Sequence, residues 1–249
     1  YLDSVPELDR RYVLDSHEVK QMRISSLIRM AWYFGNAKVI LVDDYCELFF
    51  RMPRRKDTYL IQLWHACGAF KTFGCSRMGR PGGQTQKSPN HRNYDYALVS
   101  SKNIAKFYAE GFGISEDKVA ATGIQERIVD QAYKEKVTNE FYEKYPKLKE
   151  KKILLFAPTF RGNGKLSGYY PVDRLDVNKL YEDLGKEYAI IVKHHPFVNN
   201  RSHIRKKYKD YIIDLSANSE LNDLLFVTDV LITDYSSVVF EASLLDIPM

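Results

Sequence analysis

The residues able to do chemistry in this 249-residue chain stand just after short apolar runs. The densest group is Leu231-Ile-Thr-Asp-Tyr-Ser-Ser-Val-Val-Phe-Glu. An apolar run feeds Thr233, Asp234 and Tyr235, and Ser236 and Ser237 then open a helix. The first turn of a helix leaves backbone N–H groups unpaired and carries partial positive charge. Such an end can hold a diphosphate, with serine and threonine hydroxyls adding donors. Glu241, one turn further on, can accept hydrogen bonds from two ribose hydroxyls. The same serine pair also reads as an ordinary helix cap.

A second group is Ile190-Ile-Val-Lys-His-His-Pro-Phe. Lys193, His194 and His195 leave the end of an apolar run, and Pro196 keeps the chain extended. A histidine placed there can donate to a phosphate or act as a general acid or base; two solvent-facing imidazoles are the plain alternative. The third group is Gln62-Leu-Trp-His-Ala-Cys-Gly-Ala-Phe-Lys. His65 ends a run, and the small residues up to Gly68 let a substrate approach the backbone. With Lys71 nearby, His65 is a candidate base on an acceptor; a structural histidine is the alternative. The fourth, Leu155-Phe-Ala-Pro-Thr-Phe-Arg-Gly, puts Thr159 and Arg161 past a strand end. The Arg161 fork can pair there with phosphate oxygens, or simply face solvent.

Other chemistries lack their signatures. There is no GxxxxGK[ST] loop and no GxGxxG after a strand. No metal-ligand spacing stands out, so neither a metal nor another cofactor is expected, Asp43-Asp44 being at most a weak divalent pair. Cys46, Cys67 and Cys75 form no CxxC pair and no disulfide framework, which suits buried or neutral thiols in a reducing interior. The 18 tyrosines are scattered and no RNA-binding motif occurs, so a nucleic-acid partner is not expected. The net charge is +5, and Arg51 to Arg80 holds seven Lys/Arg against one acid, Asp57. That excess suits a polyanion such as a membrane surface or a phosphate polymer, or forms a solvated basic face.

The elements that must position these groups alternate. Val19 to Phe34 carries a helical apolar pattern that stops at Gly35-Asn36. Strands are expected at Ala37 to Val42, Thr58 to Trp64, Tyr94 to Val99 and Val119 to Ile124, with a helix capped by Ser100-Ser101 through Tyr108. Gln131 to Lys152 reads as a charged helix or linker. The rhythm then restarts with strands at Ile153 to Pro158, Tyr188 to Lys193, Tyr211 to Asp214 and Val230 to Thr233. Helices fall at Val177 to Leu184, Leu221 to Val227 and Ser236 to Leu245. Strand–helix alternation in both halves predicts two parallel, doubly wound sheets. The expected organisation is an incomplete first domain over 1–130, a connector over 131–152 and a second, truncated domain over 153–249. The chain opens without Met and stops at Ile247-Pro248-Met249, after a helix leading toward another strand, so a fragment of a longer protein is expected.

Taken in order, Trp64-His-Ala-Cys-Gly68 with Lys71, Ala157-Pro-Thr-Phe-Arg161, Lys193-His-His-Pro196 and Thr233-Asp-Tyr-Ser-Ser-Val-Val-Phe-Glu241 resemble the CDP-glycerol glycerophosphotransferase family. The resemblance covers roughly Tyr59 to Met249. It implies a GT-B-like fold of two Rossmann-type domains with the active site in the cleft between them. It implies metal-independent transfer of glycerol phosphate from CDP-glycerol to a lipid-linked teichoic-acid-type polymer, releasing CMP; ribitol phosphate from CDP-ribitol is the alternative within the family. It also implies peripheral attachment to the cytoplasmic face of an anionic membrane. By resemblance His65 is the base and His195 the second essential histidine. Thr233, Ser236 and Ser237 bind the diphosphate, Arg161 and Lys193 lie near the donor, and Gly68 and Lys71 lie on the acceptor side. Glu241 stands where relatives often carry Asp, and Thr122-Gly-Ile-Gln-Glu-Arg-Ile departs from a Thr-Gly-x-Pro-Arg-x-Asp pattern. The rival readings are a nucleotide-sugar glycosyltransferase or epimerase of the same fold, and a non-catalytic module that holds an anionic polymer.

Overall fold

The structure is a computed structural model that describes residues 5–14, 22–46, 48–80, 83, 85, 88, 91–123, 130–162 and 167–249. The chain divides into two compact units, Tyr1–Ile124 and Gln125–Met249. Each is a parallel α/β unit built on a four-stranded sheet. The predicted residues Val19–Gln21 of the first helix, and Ile124–Ile128 of the departing segment, lie outside the described residues. No helix among the described residues is long and apolar enough to cross a membrane.

The first unit runs α1 (Ile24–Asn36), β1 (Val39–Val42), α2 (Leu48–Arg51), β2 (Tyr59–Gln62), β3 (Tyr96–Val99), α3 (Lys102–Phe112) and β4 (Val119–Ala121). The strands lie side by side in chain order, β1-β2-β3-β4, all parallel. Parallel crossovers are right-handed, so a sheet that winds one way keeps its connections on one face. The apolar residues divide accordingly. Leu60, Ala97 and Val99 are buried and pack with Phe49, Phe50, Phe73, Tyr108 and Phe112. On the other face Val39, Leu41, Tyr59 and Tyr96 stay exposed. The helix begun at Ser101 runs to Phe112, a turn beyond the expected end at Tyr108. It stops only at Gly113, whose φ of 63° is left-handed and lets its N–H reach the carbonyls of Ala109 and Glu110.

The second unit runs α4 (Gln131–Lys144), β5 (Lys152–Phe156), α5 (Val177–Leu184), β6 (Tyr188–Val192), β7 (Ile212–Asp214), α6 (Leu221–Leu225), β8 (Val230–Ile232) and α7 (Val238–Leu244). Its strand order is β7-β6-β5-β8. The winding therefore reverses at β5, and helices cover both faces. Ile153, Leu155, Ala189, Ile191 and Leu231 pack toward α4, α6 and α7. Leu154, Phe156, Ile190, Val192 and Ile212 pack toward α5. Burial on both faces explains why these strands read as unbroken apolar runs. A fully buried Leu or Ile contributes roughly 1.5–3 kcal/mol each. The charged segment after Asp130 is an integral layer of this unit: Phe141 and Leu148 join the core, and the Tyr133 hydroxyl donates to Asp223 at 3.0 Å. The last helix starts at Val238 rather than Ser236. The Ser236 hydroxyl accepts from the Val238 N–H at 3.4 Å, so the two serines form the approach to the helix.

Candidate functional site

In an open parallel sheet, ligands bind beyond the carboxyl ends of the strands where the winding reverses. In the second unit that point lies between β5 and β8, and a side-chain clasp occupies it. The Asp234 carboxylate accepts from the Thr159 N–H at 2.9 Å, from the Thr159 hydroxyl, and from the Arg161 guanidinium at 2.8 Å. Arg161 also donates to the Thr159 carbonyl at 3.0 Å and lies 4.5 Å over the Tyr235 ring. Thr233 spends its hydroxyl on the Ala157 carbonyl at 2.7 Å. Burial alone would raise the Asp234 pKa, but the bonds from Thr159 and Arg161 outweigh it and hold the carboxyl below its ordinary range.

Beside this clasp is a cavity of about 510 Å³. Thr159, Lys193, His195, Arg201, Glu220 and Ser236 are among its lining residues. The strand alternation of β6 continues past its end. His194 turns inward and is fully buried, with its Nε2 paired to the Ser202 hydroxyl at 2.9 Å. His195 turns the other way, between the rings of Phe160 and Phe197, each 4.6 Å off. Two solvent-facing imidazoles are therefore not what the sequence makes here. The Phe197 N–H lies 3.1 Å from His195 Nδ1. A backbone N–H can only donate, so Nδ1 accepts and the neutral ring carries its proton on Nε2. Lys193 is half-buried, donates to the Ser216 carbonyl at 3.1 Å, and has its pKa lowered by desolvation.

His65 belongs to the first unit. It follows β2 on a turn in which Trp64 takes the left-handed conformation, φ 58°. The Tyr108 hydroxyl braces that turn against the carbonyls of Ala66 at 2.9 Å and Gly68 at 2.8 Å. Gly68 itself has φ 67°, a conformation open to glycine at no steric cost. His65 is exposed, stacks on Trp64 at 4.6 Å, and sets Nδ1 2.6 Å from the Asp43 carbonyl. A carbonyl can only accept. Nδ1 therefore carries a proton, and in the neutral ring Nε2 presents the lone pair.

Beneath this turn His91 is 8% exposed. Burial pushes its imidazole down to about 4, opposed in part by the Asp44 carboxylate. An unfolded histidine titrates near 6.5, so between these values the unfolded chain binds more protons and stability rises with pH. Acidifying from pH 7 to 4.5 should remove about 2–3 kcal/mol of this unit's stability. Urea unfolding followed against pH should show that slope in the native protein and a flatter acid limb in His91→Phe; equal slopes would count against it.

Among the predicted site residues, Lys193, His195 and Ser236 share the cavity lining. Arg161 and Thr233 stand at the same strand ends without lining it, and Ser237 and Glu241 lie further along, at the start of α7. Ser237 is the N-cap of α7 and makes no side-chain capping bond, and Glu241 is buried in the first turn of that helix. His65, Gly68 and Lys71 share one turn region in the first unit. Within the basic stretch, Arg54 pairs with Asp95 at 2.5 Å and Arg55 with Asp57 at 2.8 Å, so part of that charge is spent internally. Among the described residues no group of three His, Cys, Asp or Glu side chains gathers as a metal set. Cys46, Cys67 and Cys75 form no disulfide, and Cys46 and Cys75 are buried. Sequence reasoning passed over Asp234, Arg201 and Glu220. Asp234 was visible inside its motif, an acid beside two hydroxyl residues; nothing local marked the other two.

A parallel α/β protein with a cation-lined cavity at a winding reversal is a class suited to phosphorylated ligands. The family profile described as CDP-Glycerol:Poly(glycerophosphate) glycerophosphotransferase matches residues 7–249. The chain is 49% identical over 243 residues to the teichoic acid poly(ribitol-phosphate) polymerase of Bacillus spizizenii, covering 97% of this chain and 39% of that protein. It is 35% identical over 243 residues to the teichoic acid glycerol-phosphate primase of Bacillus subtilis, covering 95% of this chain and 61% of that one. It shares its fold with the wall teichoic acid polymerase TagF, in the H444N variant soaked with CDPG. The TM-score is 0.70 at 23% identity, over 85% of this chain and 53% of that one. The chain thus spans roughly two fifths to three fifths of the length of these relatives. It belongs to the CDP-glycerol:poly(glycerophosphate) glycerophosphotransferase family.

Proposed function

We propose that the protein transfers a polyol phosphate from a CDP-polyol to the hydroxyl end of a teichoic-acid-type polymer and releases CMP. The observation that carries this reading is the pair of opposite tautomers set by backbone partners. In their neutral rings His65 leaves Nε2 as the acceptor, the form a general base needs, whereas His195 carries its proton on Nε2, the form that donates to a charged oxygen. The acceptor hydroxyl gives its proton to His65 Nε2 as its oxygen bonds to the β-phosphorus that carries the polyol. The bond from that phosphorus to the bridging oxygen breaks, and CMP leaves with the electron pair. Lys193, His195, Arg201 and Ser236 supply fixed positive charge and donors for the phosphate oxygens, so that stabilisation is in place before charge develops.

Ribitol as the polyol is favoured by one observation. The relatives at 49%, 44%, 42% and 40% identity are ribitol-phosphate enzymes by name, while the glycerol-phosphate primase stands at 35%. The acceptor is lipid-linked, and the protein works at the inner face of an anionic membrane, held by its basic surface. Titration calorimetry with CDP-ribitol, CDP-glycerol and a UDP-sugar, paired with an assay for CMP release, tests the assignment. Heat and CMP are expected with CDP-ribitol and less with CDP-glycerol. Binding of the UDP-sugar alone would overturn it.

A further inference from the structure

The strand that leads to His65 ends in a residue out of character with its place. Gln62 lies on the buried parity of β2, level with Val42 of β1 and Ala97 of β3, and is 0% exposed. A buried amide is costly unless its donors and acceptor are used. All are used here, and each bond goes to a different segment around the His65 turn. The side-chain oxygen accepts from the Trp64 N–H at 2.8 Å. The side-chain nitrogen donates to the Tyr94 hydroxyl at 2.9 Å and to the Asp44 carbonyl at 3.3 Å. The amide's orientation follows from these partners, because the Trp64 N–H requires an acceptor and the Asp44 carbonyl requires a donor.

Two of these bonds bear directly on the imidazole. Trp64 has φ 58°, which costs a non-glycine residue about 1–2 kcal/mol and persists only where its surroundings enforce it. Gln62 holds the N–H of that residue. The Trp64 ring stacks with His65 at 4.6 Å and with Phe73 at 4.9 Å, and lies nearly perpendicular to Phe112 at 5.4 Å. At the end of β1, consecutive carbonyls are divided between the two side chains: that of Asp43 accepts from the His65 Nδ1–H and that of Asp44 from the Gln62 amide. Gln62 therefore fixes both the turn that presents the ring and the strand end that supplies the ring's partner.

We propose that Gln62 is a positioning residue for His65, which locks its imidazole in the Nδ1-protonated tautomer. The chemical consequence rests on His65 being the base, but the tautomer can be read without any reaction. The test is long-range ¹H–¹⁵N NMR on histidine-labelled protein, comparing the native chain with Gln62→Met, which fills the same space without hydrogen bonds. The native chain should show His65 protonated on Nδ1, and Gln62→Met should show a mixture of tautomers. In the CMP-release assay kcat should fall roughly 10- to 100-fold, the scale of a misplaced catalytic group, with KM for the donor little changed. Tyr94→Phe, which keeps the bonds to Trp64 and Asp44, should leave the tautomer native. If Gln62→Met does not fold, Gln62→Asn, an amide too short to span its three partners, is read the same way. A native His65 spectrum in the folded variant would overturn the proposal. If His65→Ala retained activity, the base assignment would fall while the spectrum still judged Gln62 on its own.

Discussion

Replacing His65 by alanine is expected to slow CMP release by about 10²–10⁴, the contribution typical of a positioned general base. CDP-polyol binding should hold within about two-fold, because His65 and the cavity of Lys193, His195 and Ser236 belong to different compact units. The expectation follows from the ring's circumstances. His65 is exposed, its Nδ1 proton is committed to the Asp43 carbonyl, and its Nε2 lone pair is what remains for a substrate hydroxyl. His65→Gln is a sharper probe than alanine: it keeps a polar side chain but cannot take up a proton near neutral pH. Single-turnover CMP release, with donor affinity from calorimetry, separates the two quantities. Equal loss of binding and turnover would remove His65 from the chemical step.

The second large effect is expected at Asp234. Removing its carboxylate in Asp234→Ala strands the Arg161 guanidinium and leaves the Thr159 N–H and hydroxyl without their acceptor. Breaking a buried ion pair from one side costs about 3–5 kcal/mol; here the side chains are 30% and 25% exposed, so about 2 kcal/mol is the better expectation. The bonds lost tie the end of β5 to the end of β8 at the cavity wall, so CDP-polyol affinity should fall as well, by about tenfold. Asp234→Asn keeps one acceptor for Thr159 and should lose less of both. Because the carboxyl is held below its ordinary range, its contribution is complete at neutral pH and disappears only as pH falls through that lowered value. Urea unfolding and calorimetry on both variants would check the order; an Asp234→Ala protein with native stability and affinity would refute the clasp.

Much of this was legible in the chain itself. The strands of the second unit announced themselves because both faces of β5 and β6 are covered, which demands apolar residues without interruption. The candidate site residues were marked by their place directly after such runs, where the strand ends meet the cavity. What escaped were facts of register and distance. Gln62 owes its place to parity, which turns it inward beside Tyr94 and Asp44. Asp234 takes its role only because β8 lies beside β5, which brings it opposite Thr159 from 75 positions away. Arg201 and Glu220 reach the cavity through loops whose course no local pattern dictates. The start of the last helix was misjudged by two residues because the Ser236 hydroxyl takes the Val238 N–H, a local bond that competes with helix.

The direction in which each sheet is laid down has a further bearing on traffic through the protein. In the second unit neighbouring strands send their loops to opposite sides, and the parting between them makes a recess sized for a small, compact ligand. In the first unit all described strands send theirs the same way, no parting arises, and His65 stands on an open rim. A rim sets no limit on what trails behind the group that reaches it. On the proposed function, the tip of the acceptor meets the imidazole at an exposed turn, and successive additions require no remodelling of that turn.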